Sequence, residues 1–388
     1  MNSDYVWIAS HEALEAALPA WQAAQELALD TEFIRTHTFY PQPALLQIAD
    51  DQQIYLLDLL ALDQAPSRAA LASLLASGPT KIFHSAGEDL ELLHHWLNVR
   101  VAPFIDTQLA SALITQEMSV GYQRLVETYL DIQLEKGETR SDWLQRPLTP
   151  SQCHYAAQDV EYLLACWHAL AAQLSVQQRE ILEQESAYQA QAACEREATP
   201  WLRLKQNWRL TPRQLTVIQA LAVWREEQAR RLDRPRSRIA SDSLLHDLAE
   251  QGPSSLVQLG QISEASPGWV KRFGAEVLSV IAESQALPPE EDPAPLLSPQ
   301  SPAYRTLLKK LRAALQALAA EQQVPVELLA KRKQLDLWTQ DLAAQRPLHL
   351  SEAWPEWRRL ALQPRLAALQ RDVGYPDALL QNALPQDA

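Results

Sequence analysis

Apolar and polar residues alternate through Glu26–Phe33, so Leu27, Leu29, Thr31 and Phe33 fall on one side of a predicted strand. Ala28, Asp30 and Glu32 fall on the other. Further short apolar runs predict strands at Tyr5–Ile8, Ala44–Ala49, Gln53–Leu57, Lys81–His84 and Val101–Ile105. Helical periodicity is interleaved around His11–Leu18, Ser67–Leu75 and Glu88–Leu97. Asp50-Asp51-Gln52 is a polar turn between two apolar runs and predicts a hairpin. Three strands in succession, then strands alternating with helices, predict a mixed sheet with helices on its faces. From Asp106 to about Ala192 the pattern is almost wholly helical.

Beyond that point the chain changes character. Residues 193–209 read as a basic connector, and a helical module is expected over 210–286. It opens on Thr211-Pro212-Arg213-Gln214, where Thr caps, Pro suits the first helical position and Gln completes a capping box. Residues 287–302 form a Pro-rich acidic linker, expected to be extended and semi-rigid. A second helical module is expected over 303–382. The two modules repeat weakly at an offset of 90, with Pro235, Ile239 and Ala240 answered by Pro325, Leu329 and Ala330.

Composition narrows the class. A chain of 388 residues exceeds what one core usually organises, so two or three domains are expected, with residues 1–192 as the first. Hydrophobic content of 47% and charged content of 21% are those of a globular protein. The start lacks a basic and apolar leader, and no run of about 18 apolar residues occurs, so a cytoplasmic protein without membrane spans is expected. Cys153, Cys166 and Cys194 have neither zinc-ligand spacing nor the number for a disulfide framework. The net charge of −14 is unevenly divided. Residues 1–192 hold 9 Lys/Arg and 25 Asp/Glu (−16), and residues 193–388 hold 25 and 23 (+2). An acidic front repels phosphate unless cations intervene, and a more basic rear attracts it.

The acids Asp30 and Glu32 are same-face neighbours roughly 6.5–7 Å apart at Cα, close enough for both to reach one cation. Read alone, the pair also suits a polar edge strand. Ser85 and Glu88 have capping-box spacing, which would place Asp89 in the first turn of a helix after the strand ending at His84. Asp106 follows another strand and reads as the N-cap of the next helix, or as a further ligand. Thr149, Pro150 and Gln152 signal the start of a helix carrying Tyr155 and Asp159, one turn apart on one face. Four hard carboxylates suit Mg²⁺ or Mn²⁺ and not zinc.

Asp30-x-Glu32, then Asp89, then Tyr155-x3-Asp159, in this order, resemble the DEDDy family of 3′→5′ exonucleases. Within it the ribonuclease D-like sequences are the nearer match, because Ser141-Asp142-Trp143-Leu144-Gln145-Arg146-Pro147-Leu148 looks like their lead-in to the third motif. The approach to Asp89 is His84-Ser85-Ala86, where the wider family often carries Asn. The resemblance covers about residues 5–175 and implies a ribonuclease H-like α/β fold. It also implies two divalent ions: Asp30 bridging both, Glu32 and Asp159 on one, Asp89 on the other, with Tyr155 orienting the attacking water. Thr31 and Phe33, which flank the acids, would touch the terminal nucleotide, although Phe33 suits the core equally well.

Residues 201–240 carry ten Lys/Arg against three acids. Arg230, Arg231, Arg234, Arg236 and Arg238 crowd around Pro235, and this region resembles an HRDC domain, a small helical nucleic-acid-binding module. The second module looks like a degenerate copy, giving an α/β nuclease followed by two all-helical HRDC-like domains. By this resemblance the protein is a monomeric exoribonuclease releasing nucleoside 5′-monophosphates from RNA 3′ ends, tRNA precursors above all. The alternatives are a DNA exonuclease on the same fold and a non-catalytic RNA-binding scaffold; a helicase accessory role is weaker still, for want of a phosphate-binding Gly-x4-Gly-Lys-Ser/Thr loop. Asp30→Asn is expected to abolish hydrolysis while leaving RNA binding, measured by oligomer degradation and gel shift. Full activity in that variant would refute the site.

Overall fold

The structure, a computed structural model, describes residues 4–134 and 141–374. The front of the chain folds as β1 (Tyr5–Ile8), α1 (His11–Ala23), β2 (Glu26–Ile34), β3 (Gln42–Ala49), β4 (Ile54–Asp58), α2 (Ala65–Ala76), β5 (Thr80–Phe83), α3 (Gly87–Leu97) and β6 (Phe104–Asp106). Five helices follow: α4 (Thr107–Thr115), α5 (Tyr122–Leu130), α6 (Pro150–Glu161), α7 (Leu163–Ala171) and α8 (Val176–Ala193). The six strands form one sheet in the order β1-β4-β3-β2-β5-β6. β3 runs antiparallel to both β2 and β4, and the remaining pairings are parallel.

Alternation along the strands sorts side chains between two layers. Leu27, Leu29, Leu46, Ile48, Leu57 and Phe83 bury against the layer containing Leu14, Leu71 and Leu93. Ala28, Ala49, Ile82 and Ile105 bury with Leu109, Val126 and Val160 on the opposite face. The hairpin turn is held by Asp50, whose carboxylate accepts from the Gln52 and Gln53 N–H groups, each at 2.8 Å. The strand expected over Val101–Ile105 is shorter, Phe104–Asp106, because the segment before it contains Pro103, which has no N–H to give a ladder.

The helical rear comprises α9 (Pro212–Arg231), α10 (Arg236–Ile239), α11 (Asp242–Gln251), α12 (Leu256–Leu259), α13 (Pro267–Gln285), α14 (Pro302–Gln322), α15 (Val326–Leu329), α16 (Arg332–Ala343) and α17 (Glu356–Asp372). The capping box at Thr211 and Gln214 forms as expected. The starts of α9, α10 and α11 recur 90 residues later at α14, α15 and α16, at Pro302, Val326 and Arg332. Pro235 and Pro325 precede the short helices with nearly the same backbone angles (φ −51, ψ 141 and φ −61, ψ 143). Residues 375–382 of the expected second module lie outside the described residues. Among the described residues no helix is long and apolar enough to cross a membrane.

The rear is packed on the front. Phe39, in the β2–β3 loop, is 3% exposed and belongs to the core formed by Leu215, Ile218 and Trp224. The Arg230 and Arg236 guanidinium groups lie 4.8 and 4.6 Å from its ring centroid. Asp233 accepts from the Phe39 and Tyr40 N–H groups, both at 3.0 Å. Tyr40 in turn stacks on His95 of α3, centroids 3.7 Å apart. On the second module, Arg358 is ion-paired with buried Glu185 of α8, which also accepts from the Trp357 indole at 3.0 Å. The proline-rich linker is pinned as well: Asp292 meets Arg213 at 3.1 Å and Thr216 at 2.6 Å, and Leu297 exchanges two backbone hydrogen bonds with the Gln340 amide. Phe39→Ala should cost about 3–5 kcal/mol and lower the denaturation midpoint of the helical rear. An unchanged midpoint would mean the loop is not docked there.

Candidate active site

The chemistry gathers where β2, α3 and α6 meet. β2 is an inner strand, but it pairs with β5 only over Glu26–Ala28, so Asp30 and Glu32 are paired with β3 alone; they form no solvent-facing polar edge, because Asp159 of α6 converges on them. α6 crosses their face. Its start is set by a complete capping box: Gln152 N–H donates to Thr149 Oγ1 at 3.2 Å, and Thr149 N–H to Gln152 Oε1 at 2.9 Å. That start faces Tyr155 and Asp159 toward β2. One carboxylate oxygen each of Asp30, Glu32 and Asp159 lies within 4.8 Å of the others. Tyr155 lies one turn before Asp159, near enough for its hydroxyl to lower the Asp159 carboxyl.

The lead-in segment anchors this helix. Arg146 forks onto Asp58 at 2.9 and 2.8 Å and donates to the Ala44 carbonyl at 2.7 Å, tying the segment to β4 and β3. Trp143 is buried, its ring 6.2 Å from that of Tyr155. The residues just before, 135–140, lie outside the described residues.

Asp89 enters from the other side of β2. The capping box expected between Ser85 and Glu88 is not present: Ala86 is the N-cap and makes no side-chain cap. Ser85 instead takes a left-handed conformation (φ 65), and the Ser85 and Ala86 N–H groups donate to Asp106 at 2.8 and 3.1 Å. Asp106 is also the N-cap of α4, accepting from Gln108 N–H at 2.9 Å. One carboxylate therefore fixes both the turn before α3 and the start of α4, and Asp89 still falls in the first turn of α3. Asp89 is outside the group of three, and its carboxylate accepts from the Thr31 hydroxyl. Thr31 is 5% exposed and committed to that bond. Phe33 is half-buried, just past a bulge between Glu32 and Phe33. His84 is held between Thr107 Oγ1 and the Val120 carbonyl, both at 2.9 Å.

Burial and mutual repulsion raise every acid. Burial lifts Asp30 well above the carboxylate range, with Asp89, Asp159 and Glu32 adding to it. Burial, then Asp159 and Asp89, push Glu32 up to about 9. Asp159 rises to about 7 through burial, against the Tyr155 hydrogen bond, and Asp89 to about 6, against that from Thr31. Burial and the acids around it raise the Tyr155 hydroxyl. Crowded, half-buried to buried oxygen-only donors, with no cation beside them among the described residues, fit hard divalent ions, which would relieve the repulsion.

The five arginines divide. Arg230 and Arg236 both pair with Glu226, at 2.9 and 2.8 Å, and clamp Phe39, so they hold the rear to the front. Arg231 lies 3.7 Å from Glu276. Arg234 and Arg238 are exposed and make no ion pair among the described residues. A cleft of about 1090 Å³ opens between front and rear, bordered by Gly87 and Glu88 at the start of α3 and by Arg35, Arg203, Arg236 and Lys331.

A central mixed sheet presenting clustered carboxylates, with a tyrosine on the helix above, defines a divalent-metal-dependent 3′–5′ exonuclease. The family signature for 3′-5′ exonuclease matches residues 5–175, and that for HRDC domains matches residues 214–281. Ribonuclease D of Pseudomonas paraeruginosa is 38% identical over 358 residues, 91% of this chain and 94% of that protein. Ribonuclease D of Escherichia coli is 32% identical, over 86% of this chain and 89% of that protein. The crystal structure of Escherichia coli RNase D, an exoribonuclease involved in structured RNA processing, matches with a TM-score of 0.79 and 30% identity, covering 95% of this chain and 99% of that one. This chain belongs to the ribonuclease D family of 3′–5′ exoribonucleases, with RNA as substrate.

The raised carboxyls give the chelator-treated protein a stability that depends on pH. Each folded acid binds its proton more tightly than its unfolded form at 3.8 or 4.5, so stability falls as pH rises from about 4 to about 9. Thermal midpoints across that range should decline in the wild type and decline less in Asp30→Asn. Equal slopes would mean Asp30 does not crowd its neighbours.

Proposed function

We propose that Asp30, Glu32, Asp89 and Asp159 hold two divalent ions, Mg²⁺ or Mn²⁺, for hydrolysis of RNA from its 3′ end to nucleoside 5′-monophosphates. The observation that carries this reading is the convergence of Asp30, Glu32 and Asp159 oxygens within 4.8 Å, beside Asp89. Two such ions, about 3.5–4 Å apart, supply an activated water, a stabilised leaving oxygen and neutralised phosphate charge. The protein's own part is to keep the four carboxylates together with no cation among the described residues to relieve them. Asp30, Glu32 and Asp159 would hold the ions together with Asp89, and the ions would supply the Lewis acidity for hydrolysis. The Tyr155 hydroxyl, beside Asp159, would orient the attacking water. Thr31 acts by holding Asp89, and Phe33, half-buried past the bulge, remains to contact the terminal nucleotide.

The division of the chain supports a separate grip on RNA. We assign residues 1–192 to the nuclease, 193–209 to a connector, 210–286 to the first HRDC domain, 287–302 to a linker and 303–382 to a second HRDC-like domain. The unpaired cations Arg234 and Arg238 lie on the first of these and suit phosphate contacts, which need charge free of internal partners. Arg230 and Arg236 act in docking instead, and Arg231 at the rim. The cytoplasmic setting, the monomeric state and tRNA precursors as substrates belong to the same reading. The test is to incubate matched RNA and DNA oligomers with the protein and Mn²⁺. RNA should be shortened from its 3′ end to 5′-monophosphates faster than DNA, and preference for DNA would overturn the assignment.

A further inference from the structure

One buried side chain beside the carboxylates has no structural account. Gln47 of β3 is the cross-strand partner of Asp30 and has Leu56 of β4 on its other side. Directly opposed residues in an antiparallel pair share a face and sit about 4.5–5.5 Å apart at Cβ. Gln47 therefore lies under α6, on the face that carries Asp30 and Glu32. It is fully buried, and neither its Oε1 nor its Nε2 has a hydrogen-bond partner. Among the described residues no other side chain has two buried polar atoms in that condition.

Packing does not explain a glutamine here. Its neighbours on β3 and β4, Leu45 and Leu56, join an apolar cluster with Cys153 and Ala156 of α6, and leucine or methionine would fill the space without burying an unpaired amide. What the amide offers is a neutral donor directly across from the central acid. Among the described residues the Thr31 N–H is what lowers the Asp30 carboxyl, against three neighbouring carboxylates that raise it. A lysine or arginine in this place would neutralise Asp30 and compete with cations for it. An amide orients the carboxylate without adding charge.

We propose that Gln47 is a positioning residue: its Nε2, unpartnered in the cation-free fold and directly across the strand from Asp30, would donate to the Asp30 carboxylate when divalent ions are held, and so fix the orientation in which Asp30 serves them. The inference rests on the metal-centre reading, and its test separates the two. The full-length chain, chelator-treated, is compared with Gln47→Leu and with the unbranched Gln47→Met. Thermal midpoints are recorded without metal and with added Mn²⁺, and the Mn²⁺ needed for half-maximal hydrolysis of an RNA oligomer is titrated.

Both variants are expected to be at least as stable as wild type without metal and to gain less from Mn²⁺. Their half-maximal Mn²⁺ should rise about tenfold or more, as for loss of a group orienting a ligand, with KM for RNA at saturating Mn²⁺ unchanged. An unaltered Mn²⁺ requirement with a normal Mn²⁺-induced rise would overturn the role of Gln47 and leave the metal centre standing. Loss of the metal-free fold in both variants would assign Gln47 to packing and overturn it as well. A wild type that gains nothing from Mn²⁺ would overturn the metal centre and this inference together.

Discussion

The carboxyl groups of Asp30, Glu32 and Asp159 converge beside that of Asp89, partly or wholly withdrawn from water and, among the described residues, without a cation from the protein; this is the constraint on which the structure turns. Each raises its neighbours, and burial raises them all. Such an arrangement opposes folding unless the scaffold overrides it, and it is the condition under which divalent ions bind with most relief. Lysine or arginine beside Asp30 would stabilise the fold and weaken the site.

The scaffold overrides the repulsion through a few fixed points. Asp106 bonds the turn before α3 and caps α4, so the start of the helix bearing Asp89 is tied to the sheet. Thr31 takes hold of Asp89 from β2 itself. Arg146 fastens the segment ahead of α6 to Asp58 and the β3 backbone, and the capping box starts that helix at a set residue. Each of these acts on a segment that carries an acid and none touches the cluster with positive charge.

The helical rear is a second consequence of local shape. A loop between the two catalytic-face strands sends Phe39 into the core of the first helical module, between two arginines that share Glu226. The same loop is tied to α3 by the Arg35–Glu91 pair at 2.7 Å and by Tyr40 on His95. The module is thus joined to the elements that carry Asp30, Glu32 and Asp89. Positive charge in this region is divided between docking and the free surface, and the count of arginines alone does not say which serves which.

Period-two alternation placed Asp30 and Glu32 on one face, and the capping signals at Thr149 and Thr211 located two helix starts, because these depend on neighbours within a few residues. The offset of 90 between the helical modules was legible for the same reason: proline and small residues impose local backbone angles wherever they recur. Tertiary contacts decided the rest. Ser85 looked like a cap and became a left-handed turn residue, because a carboxylate 21 positions later satisfies its N–H. Thr31 looked like a substrate contact and faces Asp89, 58 positions away. Gln47 gave no signal among its apolar neighbours until the strand register set it opposite Asp30. Local sequence determined which side chains share a strand or helix face. Only the fold decided which faces meet, because hydrogen bonds and charges across long separations have no period to reveal them.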